Sequence, residues 1–264
     1  QDLARRDLTI NAMARGEDGV LVDPYGGQHD LAAKVLRHVS PAFAEDPVRL
    51  LRVARFAARW PDFAVAPETQ ALLQRLVDEG EVDALVPERV WQELSRGLME
   101  ARPSRLLEVL AGCNAAARLL AGVMVDEASQ HRLDAAAELA APLPVRYALL
   151  APGNEALAER LKVPTDCREL ALLLGREGQT VDHGDTLSAG ETLALFDRSD
   201  AWRRPARFAD LLRAGVCIAC AQGHPRGQPW PPATRLAEAL QRAQGVDTAT
   251  VAREAAASGA RGPA

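Results

Sequence analysis

The chain has 264 residues, 48% of them hydrophobic and 25% charged, with a formal net charge of −5 at pH 7. That apolar share fills a real core, divided among two or more small helical units, and excludes a disordered chain. A net-acidic protein does not coat nucleic acid by bulk attraction, which needs a basic surface for counterion release, so any RNA contact is a local patch.

Only Lys34 and Lys162 are lysines; every other basic side chain is arginine, the better donor for planar, bidentate contacts to phosphate or base edges. Outside a motif, such an arginine reads first as cover for a solvated face. The four cysteines, Cys113, Cys167, Cys217 and Cys220, make no disulfide framework in a chain this long, which points to a reducing compartment. Cys217 and Cys220 form one C-x-x-C inside an apolar run, without a second pair to complete a zinc site, and read as core. With no run long enough to cross a bilayer and no basic-then-apolar leader, the chain reads as cytoplasmic, with no membrane partner. Its polar opening through Arg5, Arg6 and Asp7 reads as cut from something longer.

In chain order, residues 7–14 read as a helix with Asp7 near its start. Val20, Leu21 and Val22 read as a short strand that ends in a turn at Asp23, Pro24, Tyr25, Gly26 and Gly27. A second apolar run, residues 35–39, is expected to pair with that strand as the edge of a sheet. From Glu45 the periodicity is helical, with Pro47 and Pro87 at early helix positions and punctuation near Gly80, Pro103, Pro142, Gly153 and Gly178. Residues 223–232 carry too many glycines and prolines to be helical and read as a loop. A last helix over about residues 233–244 and a frayed end at residues 258–264 complete the expectation.

The segment from Glu45 to Arg59 is the most informative. Acids open it, Pro47 sits in its first turn, and Arg49, Arg52, Arg55 and Arg59 follow at spacings that place them on one helical stripe. Asp46 precedes Arg49 by three, so a carboxylate and a guanidinium can stand side by side at the helix N-terminus. The plain reading is an exposed i,i+3 ion pair that contributes a few tenths of a kcal/mol, about 0.2–0.5. The functional reading is that an acceptor-only carboxylate and a donor-only guanidinium present one fixed hydrogen-bond pattern. Cytosine and adenine, each with an amino donor beside a ring-nitrogen acceptor, complement it. Uracil and guanine present the reverse and would leave buried polar groups unpaired, at about 1–3 kcal/mol each.

With these residues in view, the sequence resembles the bacterial CCA-adding tRNA nucleotidyltransferases, whose catalytic domain is shared with bacterial poly(A) polymerases. Ordered blocks carry the match: Arg5, Arg6, Asp7, Leu8, Thr9, Ile10 and Asn11; then Asp23 to Gly27 with Asp30, Leu31 and Leu36, Arg37, His38 and Val39; then Glu45, Asp46, Pro47, Val48 and Arg49 onward. A further block, Pro87, Glu88, Arg89, Val90, Trp91, Gln92, Glu93 and Leu94, looks like the family's next helix.

The resemblance implies that Asp46 and Arg49 act as a protein template for the incoming base. It also implies that Arg6, Arg52 and Arg55 hold the nucleotide, with Asp7 and Asn11 near its ribose, and that the turn at Asp23 to Gly27 is structural. The substrates implied are CTP and ATP, and the partner is tRNA. The fold implied is mainly α: a remnant β edge of the nucleotidyltransferase head at residues 1–39, a helical neck at 40–105, a helical body at 106–180 and a tRNA-contacting tail at 181–264. In that tail Arg203, Arg204, Arg207 and Arg213 could touch tRNA phosphates or cover a solvated face.

The family's chemistry uses Mg2+ held by an Asp-x-Asp pair, expected upstream of the Arg5-Arg6-Asp7 block; no Asp-x-Asp occurs here, so no catalytic or metal residue is assigned and the chain by itself is expected to be inactive. His29-Asp30 matches the adjacent pair of a metal phosphohydrolase, but lies inside the Gly-Gly-x-x-Asp-Leu block, where only Asp30 is required. The rivals are a poly(A) polymerase and a non-catalytic RNA-binding module. Arg37-His38-Val39 leading into Glu45, and the Pro87 block, favour the CCA enzyme over the first.

Overall fold

The computed structural model describes residues 2–247 and 253. It opens with a hairpin of β1 (Ala14–Arg15) and β2 (Leu21–Val22), then α1 (Gly27–Ala33), β3 (Val35–Leu36), α2 (Val48–Arg59) and β4 (Ala64–Val65). Helices follow: α3 (Pro67–Asp78), α4 (Pro87–Leu98), α5 (Ser104–Gly112), α6 (Ala115–Leu119), α7 (Glu127–Glu138), α8 (Leu143–Leu150) and α9 (Glu155–Arg160). The last four are α10 (Thr165–Asp182), α11 (Ala189–Arg198), α12 (Pro205–Ala221) and α13 (Pro231–Gln244). The mainly helical class, with a small β element at the start, agrees with the sequence reading. The fray expected at residues 258–264 lies outside the described residues.

Several local expectations are corrected. Residues 7–14 form no α-helix; only a 3-10 turn, Thr9–Asn11, appears. The backbone beside Asp7 is drawn instead onto the segment around His38: Leu8 bridges His38, Thr9 N–H donates to the Arg37 carbonyl at 2.9 Å, and Val39 N–H donates to the Asp7 carbonyl at 3.3 Å. Leu8 is fully buried as a result, and tertiary pairing overrides a weak local helix preference. β3 does not pair with β2. It runs parallel to β4, with Val35 opposite Ala64 and Leu36 opposite Val65, so its partner arrives only after α2 has turned the chain back.

The turn at Asp23 does more than reverse direction. The Asp23 carboxylate accepts hydrogen bonds from Gly27 N–H at 2.7 Å and Gln28 N–H at 2.9 Å and so launches α1, a helix absent from the sequence reading. Gly26 sits at φ 73°, and a Cβ on Gly27 would come 2.3 Å from the Thr9 carbonyl, so both glycines are required. Asp30 on α1 is buried and bound by Thr9 Oγ1 at 2.7 Å and Arg37 Nε at 3.0 Å, a structural post rather than half of a His-Asp metal pair.

Gly178 does not punctuate. Helix α10 runs through it and through Gly175, where a Cβ would meet Gly153 Cα at 2.6 Å; the glycine permits a close crossing. α13 begins at Pro231, two residues before the expected start, because proline is tolerated in a first helical turn.

One apolar core runs from Leu8 to Leu240. α2 packs on α4 and α5, while α7, α8, α10 and α12 pack together. Arg146 ties these groups: 5% exposed, it donates to the carbonyls of Leu98 (2.8 Å), Glu100 (3.3 Å) and Ala141 (2.8 Å), so the C-terminal end of α4 is fixed to α8. Cys217 and Cys220 are buried on α12, and burial pushes the Cys217 thiol up to about 12, as suits core packing. Among the described residues no helix is long and apolar enough to cross a membrane.

A candidate nucleotide-selecting pocket

Helices α2 and α4 pack together, and Arg49 and Arg52 of α2 bond the segment Arg5 to Asn11 at the Arg5 carbonyl and the Asp7 carboxylate. Together they enclose a cavity of about 640 Å³, lined by Arg5, Arg6, Asp7, Asn11, Asp46, Val48, Arg49, Arg52, Phe56, Arg89, Gln92, Glu93 and Arg96. That volume is of the size that takes a nucleotide. Six of the seven residues expected from the sequence therefore meet at one place: Arg6, Asp7, Asn11, Asp46, Arg49 and Arg52.

The seventh, Arg55, is elsewhere. Its side chain is 10% exposed and its Nε donates to Glu93 Oε2 at 2.7 Å, with Glu100 3.8 Å away. Arg55 also lies over the Phe56 ring at 4.7 Å from its centroid. The stripe of arginines is real, but helix α2 rolls its third member under α4, where a buried guanidinium must find a carboxylate.

Asp46 and Arg49 do not make the simple i,i+3 ion pair. Asp46 Oδ2 accepts from Arg89 Nη2 at 2.8 Å, across the pocket from α4, and Asp46 Oδ1 accepts from Val48 N–H at 3.3 Å. Arg49 donates instead to two backbone carbonyls, of Ala42 at 2.6 Å and Arg5 at 2.7 Å. Burial pushes the Asp46 carboxyl up, but the hydrogen bond and charge of Arg89 outweigh it, with help from the Val48 amide and Arg49, and hold it below the usual carboxylate range. The Arg89 guanidinium is raised in turn by its bond to Asp46.

Asp7 forms the opposite wall. It is buried, which pushes its carboxyl up, yet the hydrogen bond from Asn11 and the charge and hydrogen bond of Arg52 bring it below its ordinary value. The distances are 3.1 Å from Asn11 Nδ2 and 2.7 Å from Arg52 Nε. Arg6 is half-exposed and bonds Asp2 at 3.0 Å. The pocket therefore combines ionised carboxylates with arginines whose hydrogen bonds a ligand can exchange, which suits a polyanionic ligand with a polar ring.

Sequence reasoning missed the α4 wall as a site. Arg89, Gln92, Glu93 and Arg96 recur at three- and four-residue intervals, which places them on one helical face, and that periodicity was available in the Pro87 block. Near the start of α12, Arg204 and Arg207 both reach Glu169, and Arg207 also donates to the Ser199 carbonyl, so these two serve helix packing.

No group of three or more His, Cys, Asp or Glu side chains able to hold a metal occurs among the described residues. The pocket's own carboxylates are each bonded to an arginine, Asp7 to Arg52, Asp46 to Arg89 and Glu93 to Arg55, and do not form the donor set that Mg2+ requires.

Comparison with known proteins bears on the family and the fold. The family model described as the poly A polymerase head domain matches residues 1–37, and that for the probable RNA and SrmB-binding site of polymerase A matches residues 62–124. The multifunctional CCA protein of Leptothrix cholodnii is 50% identical, matching all of this chain and 72% of its own length. That of Paracidovorax citrulli is also 50% identical, over all of this chain and 73% of its own. A tRNA nucleotidyltransferase solved with a primer tRNA and an incoming ATP analog is 25% identical with a TM-score of 0.63, covering 84% of this chain and 71% of that one. The relatives' identity and coverage, with the shared fold and the ordered motifs, place this chain in the family of the CCA-adding tRNA nucleotidyltransferases.

Proposed function

We propose that the pocket between α2 and α4 is the nucleotide-selecting site of an enzyme that adds C and A, from CTP and ATP, to the 3′ end of tRNA. The observation that carries this reading is the placement of Asp46 and Arg49 on one wall of a nucleotide-sized cavity, both held by exchangeable hydrogen bonds. A cytosine or adenine amino group replaces Arg89 as donor to Asp46, and Arg49 turns one N–H from a carbonyl to the ring nitrogen. Uracil or guanine would set an N–H or carbonyl against the wrong partner, at about 1–3 kcal/mol per unpaired group. Arg6 and Arg52 face the phosphates and Asp7 with Asn11 the ribose. Arg55 acts one step back, holding Glu93 and through it the floor under Arg52.

In this reading residues 1–39 belong to the head, 40–105 to the neck, 106–180 to the body and 181–264 to the tail, and the protein works in the cytoplasm on tRNA. Magnesium belongs to the phosphoryl-transfer step of the reaction and is not assigned to any residue here. The chain by itself binds and selects nucleotide without joining it to tRNA.

Competition binding of the four nucleoside triphosphates to the whole 264-residue chain tests the template. CTP and ATP are expected to bind at least about fivefold more tightly than UTP and GTP, as one lost hydrogen bond of about 1 kcal/mol requires. Asp46→Ala should erase that preference. Equal affinities in the unsubstituted chain would refute the template, and CTP incorporation into tRNA by the purified chain would refute its proposed inactivity.

A further inference from the structure

The pocket between α2 and α4 holds three carboxylate–arginine pairs, and they differ in how firmly they are shut. Glu93 and Arg55 are both buried and meet at 2.7 Å. Asp7 is buried and bonds Arg52 at 2.7 Å and Asn11 at 3.1 Å. Asp46 and Arg89, which meet at 2.8 Å, have side chains 31% and 51% exposed. Opening either of the first two pairs strands a buried charge. Opening the third leaves both partners to water, and an accessible ion pair contributes little to stability. The Asp46–Arg89 pair is therefore the one that a ligand opens at least cost.

Arg89 stands in the first turn of α4. Its N–H donates to the Val86 carbonyl at 3.0 Å, and Pro87 sets the helix start. The neighbouring Glu88 carboxylate bonds Lys162, just beyond α9, so this end of α4 is tied to a second segment. The Arg89 guanidinium can leave Asp46 through its own side-chain torsions while the helix stays in place. Glu93, one turn further along α4, attracts it as well.

The two positions of Arg89 present opposite patterns to a base. A guanidinium only donates, and one bond to Asp46 leaves it other N–H groups to offer, so with Arg89 in place this wall suits a carbonyl. With Arg89 gone, the ionised Asp46 only accepts, and the same wall suits an amino group. Uracil and guanine carry the carbonyl; cytosine and adenine carry the amino group. We infer that Arg89 is a specificity-determining residue that competes with the incoming base for Asp46, its departure turning the wall from carbonyl-accepting to amino-accepting. The inference rests on the nucleotide-selecting reading of this pocket and adds to it an internal rival for the same carboxylate. Asp46 and Arg49 set which bases fit, and Arg89 sets how far they are preferred, because only cytosine and adenine must displace it.

The test is competition binding on the whole 264-residue chain, CTP against UTP and ATP against GTP. Loss of a cation weakens all four triphosphates alike, so the ratio within each pair is what reports on Arg89. In Arg89→Ala the preference for CTP over UTP, and for ATP over GTP, should rise about two- to fivefold, the range that release of one accessible ion pair allows. Arg89→Lys keeps a cation on a long side chain and should hold both ratios near those of the unsubstituted chain. Arg89→Gln, a neutral and weaker donor, should raise them by less, and serves if Arg89→Ala does not fold. Ratios unchanged or lower in Arg89→Ala, with all four affinities falling together, would make Arg89 a structural support and overturn the inference while the template reading stands. No preference for CTP or ATP in the unsubstituted chain would overturn both.

Discussion

The pocket between α2 and α4 and the cavity bounded by α7, α10 and α12 are similar in size, about 640 and 560 Å³, and both are lined by arginines, yet the first gathers three carboxylates and the second has an apolar floor. In the first, Asp7, Asp46 and Glu93 each bond an arginine from another part of the chain. In the proposed function a ligand entering there exchanges partners, and one with the wrong pattern leaves groups unpaired. In the second, the apolar side chains of Leu149, Leu174 and Ile218 meet the rim groups Arg132, Arg176 and Asp182.

The largest effect that sharpens this contrast is expected from Glu93→Ala. Glu93 holds Arg55 at 2.7 Å and stands 3.8 Å from both Arg52 and Arg96. Its loss strands a buried guanidinium and should lower stability by about 3–5 kcal/mol, read from urea unfolding. A loss below about 1 kcal/mol would mean that Arg55 finds water or Glu100 and that the neck network is not buried in the sense argued.

Acid should expose the same network in a graded way. The folded Asp7 carboxyl lies below its ordinary value of 3.8, so its contribution is complete above that pH and is lost as pH falls through the lower folded value. The fall in urea midpoint between pH 6 and pH 3 should therefore be smaller in Asp7→Asn than in the unsubstituted chain. Equal falls would assign the acid sensitivity elsewhere, for example to Asp46 or Glu177, which are depressed as well.

The smallest effect is expected in the body. Arg132→Leu removes a cation with an unsatisfied Nε and adds apolar surface to an apolar floor, so stability should stay level or rise by up to about 1 kcal/mol. A clear loss of stability would show that Arg132 is held by the protein through its other nitrogens.

Much of the neck was legible because its logic is local. The period of the arginines after Asp46 fixes a helix face, and Pro47 and Pro87 mark helix starts within a residue or two of α2 and α4. The order of the Arg5, Asp23 and Glu45 blocks carried the family. What stayed hidden was pairing between segments distant in sequence: Asp46 with Arg89, 43 residues on, and Arg52 with Asp7, 45 residues back. Residues 7–14 misled for the same reason, since their backbone partners around His38 outweigh a weak helical preference.

The sequence by itself determined the helical class and the family, and six of the seven residues it singled out line the pocket between α2 and α4, because helical periodicity and motif order are properties of neighbouring residues. The tertiary structure alone decided that Arg55 is buried under α4, that β3 pairs with β4, and that Arg132 and Trp230 share a cavity. Those facts depend on which faces of distant helices meet, and a buried charge takes whatever partner the packing brings within about 4 Å.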